Sequence, residues 1–295
     1  MRNSLKFVVP ILFIMVTSSV FAEPWSASVD ANLTLTQTAY SDNWVGGEAG
    51  AVSWTSNANF LAEKQLHTKV HNKNTLRLAF GQTYSQDKET KEWSDPVKST
   101  DLIDFETVLR FTLGAFVDPF TAGRIESQLY DDTDPEYGRI FNPINSTESF
   151  GIAKVLLKQE KREWSTRIGA ALRQHVKRDV RDTLTNLRET ERTNDGGVEF
   201  VADFTTPLAQ ERMTFTSKLI IFKAFFFSES DELTGQPNED HWQYPDVDWE
   251  NTFTANITHY VMVNLYIQLL YDREIDPGIR LKQTLGLGLT LKLIQ

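Results

Sequence analysis

The sequence predicts an all-β protein, an up-and-down antiparallel transmembrane β-barrel of about twelve strands. Three observations carry that expectation. Apolar and polar residues alternate with a period of two over segments longer than soluble strands need. The connections between those segments alternate between long and short along most of the chain. The chain also opens with an export signal.

That signal is the first element. Residues 1–22, "MRNSLKFVVPILFIMVTSSVFA", combine a basic start at Arg2 and Lys6 with an apolar run and end with Val20 and Ala22 at the positions that signal peptidase reads. The run falls short of the roughly 18 residues of a spanning helix, and Pro10 interrupts it. A cleaved signal over 1–22 and a single mature domain over 23–295 are therefore expected. Losing Arg2 and Lys6 takes the formal charge from −10 to −12. A chain that acidic is no partner for nucleic acid, whose phosphates reward clustered Lys and Arg. The absence of cysteine excludes disulfides and thiolate metal sites.

Strands are expected near 28–40, 48–63, 74–85, 100–113, 119–131, 147–157, 163–176, 196–206, 211–225, 248–258, 260–272 and 280–294. Several reach the roughly 9 to 11 residues of a tilted membrane strand, where soluble strands average about 5 to 6. In "TDLIDFETVLRFTL" one face holds Ile103, Phe105, Thr107, Leu109, Phe111 and Leu113, and the other holds Leu102, Asp104, Glu106, Val108, Arg110 and Thr112. "EWSTRIGAALRQH", "GVEFVADFT" and "YVMVNLYIQLLY" divide in the same way. A soluble sandwich also alternates, but its inner face could not bury so many charges of both signs. These faces assign Asp104, Glu106, Arg110, Arg124, Glu126, Arg167, Arg173, Glu199, Asp203 and Lys218 to the lumen. They would line a narrow polar pore or pair into ladders that close it, and an intermediate size of about twelve strands leaves both open.

Long polar connections are expected at 85–99, 131–146, 176–197 and 228–248, and short ones at 114–119, 158–162, 206–210 and near His259. Short periplasmic turns and long outer loops are the asymmetry of outer-membrane barrels, which places both termini on the periplasmic side and the chain in the outer membrane. The stretch 62–74 should be a short turn but reads long; strand two may run on to Val70 and turn at "HNKN". Trp54, Trp164, Trp249, Tyr130, Phe120 and Tyr271 near strand ends suit interfacial aromatic girdles.

The stretch "YSDNWVGGEAGAVSWTSNANF" carries Ser41, Asn43, Trp44, Gly46 and Gly47 as S-x-N-W-x-G-G, with Ser53 and Asn59 following. Gly46 and Gly47 permit a tight reversal. The pattern resembles the opening of a family of bacterial outer-membrane barrels of unknown function, and the likeness continues less sharply through "KSTDLIDFET" and the last strand. It implies a fold and a location, with no activity to carry over.

The search for chemistry turns up little. His67 and His71 would share a helical face as zinc ligands, but their region reads as strand or turn. Barrel-wall lipid hydrolases need a Ser/His pair with a third orienting group. No histidine here is followed two residues later by serine, and only His259 in "NITHYV" leaves any room. No phosphate loop or dinucleotide fingerprint appears, so no cofactor and no enzyme is expected. Residues 228–248 carry Glu229, Asp231, Glu232, Glu239, Asp240, Asp246 and Asp248 without Lys or Arg. They form a solvated loop, or one that binds calcium or shares the divalent cations bridging lipopolysaccharide.

The chain ends in "TLGLGLTLKLIQ", with leucine at every odd position from Leu285 to Leu293 and Thr284, Gly286, Gly288, Thr290 and Lys292 between them. Leucines toward lipid and small residues toward the lumen suit a closing strand. The ending resembles the terminal signal read by the barrel-assembly machinery, except that it finishes on Ile294 and Gln295 rather than an aromatic. The expected partners are therefore membrane lipid, lipopolysaccharide and that machinery. The expected role is a narrow pore or binding barrel for a small solute or lipid, with a closed structural barrel as the alternative and a lipid hydrolase as the remote third.

Overall fold

Strands with one apolar and one charged face satisfy both faces, and all their backbone hydrogen bonds, when the sheet closes on itself. The computed structural model describes residues 25–39, 49–134, 137–181, 187–258 and 261–294, with side chains through 289. The expected signal, the motif residues Ser41, Asn43, Trp44, Gly46 and Gly47, and His259 lie outside them. The strands are β1 Ser26–Thr38, β2 Ala51–His67, β3 Val70–Ser85, β4 Val97–Phe111, β5 Asp118–Ser127, β6 Tyr130–Asp131, β7 Arg139–Ile140, β8 Ile144–Gln159, β9 Arg162–Arg181, β10 Arg188–Leu208, β11 Met213–Phe227, β12 Asp246–Asn256, β13 Val261–Asp272 and β14 Asp276–Ile294. Twelve of them form one closed antiparallel barrel in which sequence neighbours pair and β1 meets β14; β6 and β7 form a separate ladder in the β5–β8 connection.

Register sorts the faces. Along β3–β4–β5 the pairs Leu76↔Phe105↔Ile125 alternate with Arg77↔Asp104↔Glu126, so one row is apolar and the next is ionic. The apolar rows face outward, where Phe150, Ile168, Leu285, Leu287 and Leu289 are all exposed. Large apolar surface left on the outside of a closed sheet belongs against lipid chains. A closed, even-stranded barrel with an apolar exterior is the architecture of bacterial outer-membrane proteins, and this chain is one.

Several boundaries differ from expectation. The expected connection at 176–197 is mostly strand, because β9 runs on to Arg181 and β10 starts at Arg188. At 20 and 21 residues these strands exceed what a bilayer needs, so their hairpin stands clear of it. There both faces meet water, and the alternation that marks a strand is lost. The doubtful stretch 62–74 holds a tight turn at 68–69 rather than at "HNKN". His67 and His71 therefore lie on different strands, β2 and β3, with no helical face to share.

Two girdle assignments also fail. Phe120 points inward opposite Arg110, is 4% exposed, and lies 5.8 Å from the Arg167 guanidinium. Tyr130 belongs to β6, outside the barrel wall, because β5 ends at Ser127. Trp54 packs on Phe80 with centroids 5.8 Å apart, and Trp164 and Trp249 are exposed outward.

Gly151 of β8 faces Gly169 of β9 across the wall, so neither strand carries a side chain there. A Cβ on Gly151 would run into the Ile168 carbonyl and the Gly169 backbone, and one on Gly169 into the Phe150 carbonyl. Backbone cannot rotate aside as a side chain can. Gly151→Ala is expected to lower the unfolding midpoint by the equivalent of about 2 kcal/mol or more. Urea titration in detergent micelles reads it, and a variant as stable as the parent would show the two strands free to separate.

Candidate functional site

Acidic and basic residues at alternate positions on adjacent strands must meet inside a barrel, since their outward neighbours face lipid. At mid-height they do so as a lattice. Asp104 on β4 accepts hydrogen bonds from Arg77 Nε and Nη2 on β3, at 2.9 and 2.6 Å, and from Arg124 Nε on β5 at 2.9 Å. Arg124 Nη2 also donates to Glu126 at 2.8 Å. Arg77 turns its other edge across the barrel to Glu250 on β12. Glu106 on β4 takes Arg167 of β9 on one oxygen and Lys218 Nζ of β11 on the other, the latter at 3.0 Å.

These contacts span the lumen. β3 and β12 have four strands between them by the shorter way round, and so do β4 and β11. Side chains on such strands meet only through the interior. Arg77, Arg124, Arg167 and Lys218 face Asp104, Glu106, Glu126 and Glu250, so the charges in the lattice balance. The bidentate guanidinium contacts add direction to attraction, which fixes each side chain in place.

The remaining lumen candidates lie around the lattice. Glu199 and Asp203 on β10 face the Arg167 guanidinium, and Asp203 stands opposite Lys218. Arg173, toward the long-loop end, donates to Asp246 at 2.6 Å and covers the Phe222 ring at 3.5 Å. Arg110, toward the short turns, reaches Asp118 at 3.8 Å. Sequence reasoning missed Arg77 and Glu250, one of the pairs that cross the barrel. Arg77 was legible as a cation between Leu76 and Leu78, and Glu250 as an acid between Trp249 and Asn251.

Below the lattice a polar cavity of about 620 Å³ faces the short-turn rim. Arg77, Glu106, Arg167, Lys218 and Glu250 form its roof, and Glu63, His71, Lys73, Lys158 and Glu163 line its lower wall. The rim charges are paired loosely, Lys73 and Lys158 with Glu63 and Glu163 at 3.9 to 4.0 Å, a spacing at which partly exposed pairs contribute little.

Above the lattice the 228–245 connection folds back over the mouth. Trp242, within the short 3₁₀ turn His241–Gln243, packs on the buried cluster of Ala171, Phe222 and Ala224, and lies 6.4 Å from Phe227. Tyr244 sits 3.9 Å under the Arg273 guanidinium. The seven acids singled out at 228–248 do not converge, since Asp246 and Asp248 belong to β12. Among the described residues no cluster of three or more acids and histidines has metal-binding geometry.

Glu274, in the β13–β14 turn, is the most perturbed acid outside the strands. Partial burial first, and then Asp195, Asp272 and Asp246 beside it, push its carboxyl up to about 7. A raised acid binds its proton more tightly folded than unfolded. The stability that proton contributes is present in full below the ordinary value near 4.5 and is lost as pH rises through about 7. The protein should therefore resist urea better at pH 5 than at pH 8, with Glu274→Gln flattening the difference. An unchanged pH profile in that variant would assign the effect elsewhere.

Residues 35–132 match the model of a family described as "Protein of unknown function (DUF3078)". No curated protein matches the chain. Among solved structures the chain is similar to an outer membrane channel from Pseudomonas putida F1, with 12% identity and a TM-score of 0.42 over 95% of this chain and 100% of that one. It is also similar to the translocator domain of the autotransporter NalP from Neisseria meningitidis, with 8% identity and a TM-score of 0.38 over 90% and 88% of the two chains.

Proposed function

We propose that this outer-membrane β-barrel is a narrow polar pore for small hydrophilic solutes that rests closed. The observation that carries the reading is the lattice itself: paired charges crossing mid-height between strands on opposite sides, with a hydrated cavity beneath. Hydrophobic packing would fill a lumen more stably than ion pairs do, because charges taken out of water recover little net energy. Paired charges have a different merit, since they exchange partners for water or a passing ion. In this role the lattice is the gate and the cavity its periplasmic vestibule.

The competing role, a closed structural barrel, keeps the same lattice permanently shut. Planar-bilayer recording separates the two. The native protein is expected to show rare, brief openings, and Glu106→Gln should lengthen them. Silence from both proteins, together with no solute uptake in liposomes, would leave the structural role.

A further inference from the structure

The cavity under the lattice has two unlike sides, and each is suited to hydroxyl groups. One side carries charges. Lys73 stands 3.9 Å from Glu163, and Lys158 stands 3.9 Å from Glu63 and 4.0 Å from Glu163. These contacts reach past β4 and β5, since Glu63 and Lys73 lie on β2 and β3 while Lys158 and Glu163 lie on β8 and β9. At that separation no ammonium bonds its carboxylate directly. A single hydroxyl seated between the two, about 2.8 Å from each, accepts from the ammonium and donates to the carboxylate.

The other side is neutral and regular. β10, β11 and β12 set Thr205, Thr216 and Thr252 side by side in one row, and Thr214, Thr254 and Asn264 form the next row across β11, β12 and β13. All six line the cavity. Neighbours in such a row stand about 5 Å apart, a spacing that two groups of one small ring can span together. Each hydroxyl both donates and accepts.

Size and charge narrow the occupant. The volume of about 620 Å³ falls within the roughly 300 to 1,000 Å³ of small-ligand sites. An ion would take one member of a Lys–Glu pair and leave the other without its partner, whereas a neutral hydroxyl keeps both bonded. An apolar guest would leave every one of these groups unmatched.

We propose that the cavity is a binding site for a small neutral polyhydroxylated solute, a sugar or polyol, held between the Lys73–Glu163–Lys158–Glu63 quartet and the threonine rows. The proposal deepens the pore reading by naming its solute class, and it rests on that reading only for treating the solute as a permeant. Binding itself needs the cavity alone.

Ligand-observed saturation-transfer NMR of the full chain tests it, in a polyoxyethylene detergent that carries no sugar headgroup. Methyl β-D-glucopyranoside is the probe, and tetrahydropyran-2-methanol, which keeps the ring and one hydroxyl, is the control. Gluconate and glucosamine supply the two charges. The parent should bind the glucoside roughly tenfold more tightly than the stripped ring and at least as tightly as either ion. Thr216→Val/Thr252→Val and Lys73→Met/Lys158→Met, on the two sides of the cavity, should each lose most of that preference. Lys161→Gln/Glu211→Gln, a pair exposed outside the cavity, should keep it. Equal binding of the two rings by the parent, a tenfold preference for either ion, or an unchanged preference in either cavity variant overturns the proposal. The pore reading fails separately: silent bilayers with the preference intact end the pore and leave the site, and a conducting parent without the preference ends the site and leaves the pore.

Discussion

Glu106→Gln is expected to lower the unfolding free energy by about 3 kcal/mol and to raise the fraction of time the barrel conducts. Glu106 is 6% exposed and serves two cations from opposite sides, Arg167 and Lys218. The amide keeps the shape and one acceptor but leaves two like charges facing each other, with Glu199 beside Arg167 and Asp203 between the two cations as the remaining compensation. Most of the cost is the exposed penalty of those cations and not the worth of the lost contact, which is why the figure exceeds that of a surface ion pair. Repulsion then drives Arg167 and Lys218 apart along the direction that opens the lumen. Urea unfolding in micelles gives the stability and planar bilayers give the conductance. A variant that matches the parent in both would show that the lattice neither holds nor gates the barrel.

Phe222→Ala should cost about 3 kcal/mol and release the loop at the mouth. Phe222 is 1% exposed, with Arg173 on one face and Ala171, Ala224 and Trp242 around it. Truncation removes the surface that Trp242 docks on and uncovers the stem of Arg173, so the 228–245 segment loses its anchor. Residues 228–248 contain no Lys or Arg but several Glu, which makes a glutamate-specific protease the right probe. Faster cleavage in the variant is the expected result. Cleavage at the parent rate would mean that the loop is held by its own turns.

Much of the architecture was legible because a membrane barrel imposes one rule on every strand. Lipid on one side and water on the other force a period of two, and Phe105 beside Asp104 and Glu106 displays it without any knowledge of partners. The rule fails where its cause is absent. Above the bilayer, at 176–181 of β9 and 188–192 of β10, both faces meet water, so strand carries a loop's composition and the stretch read as a loop. Phe120 erred the other way: an aromatic near a strand end suits an interface, and only its register opposite Arg110 shows it turned inward.

The sequence by itself determined the class and the number of wall strands, because alternation is local and each residue's face follows from its neighbours. It could not determine which charge meets which. Arg77 and Glu250 are 173 positions apart, and Glu106 and Lys218 are 112 apart. Their meeting depends on the circumference of the closed sheet and on the stagger of every strand between them. Which charges meet across the lumen was therefore settled only when the barrel closed.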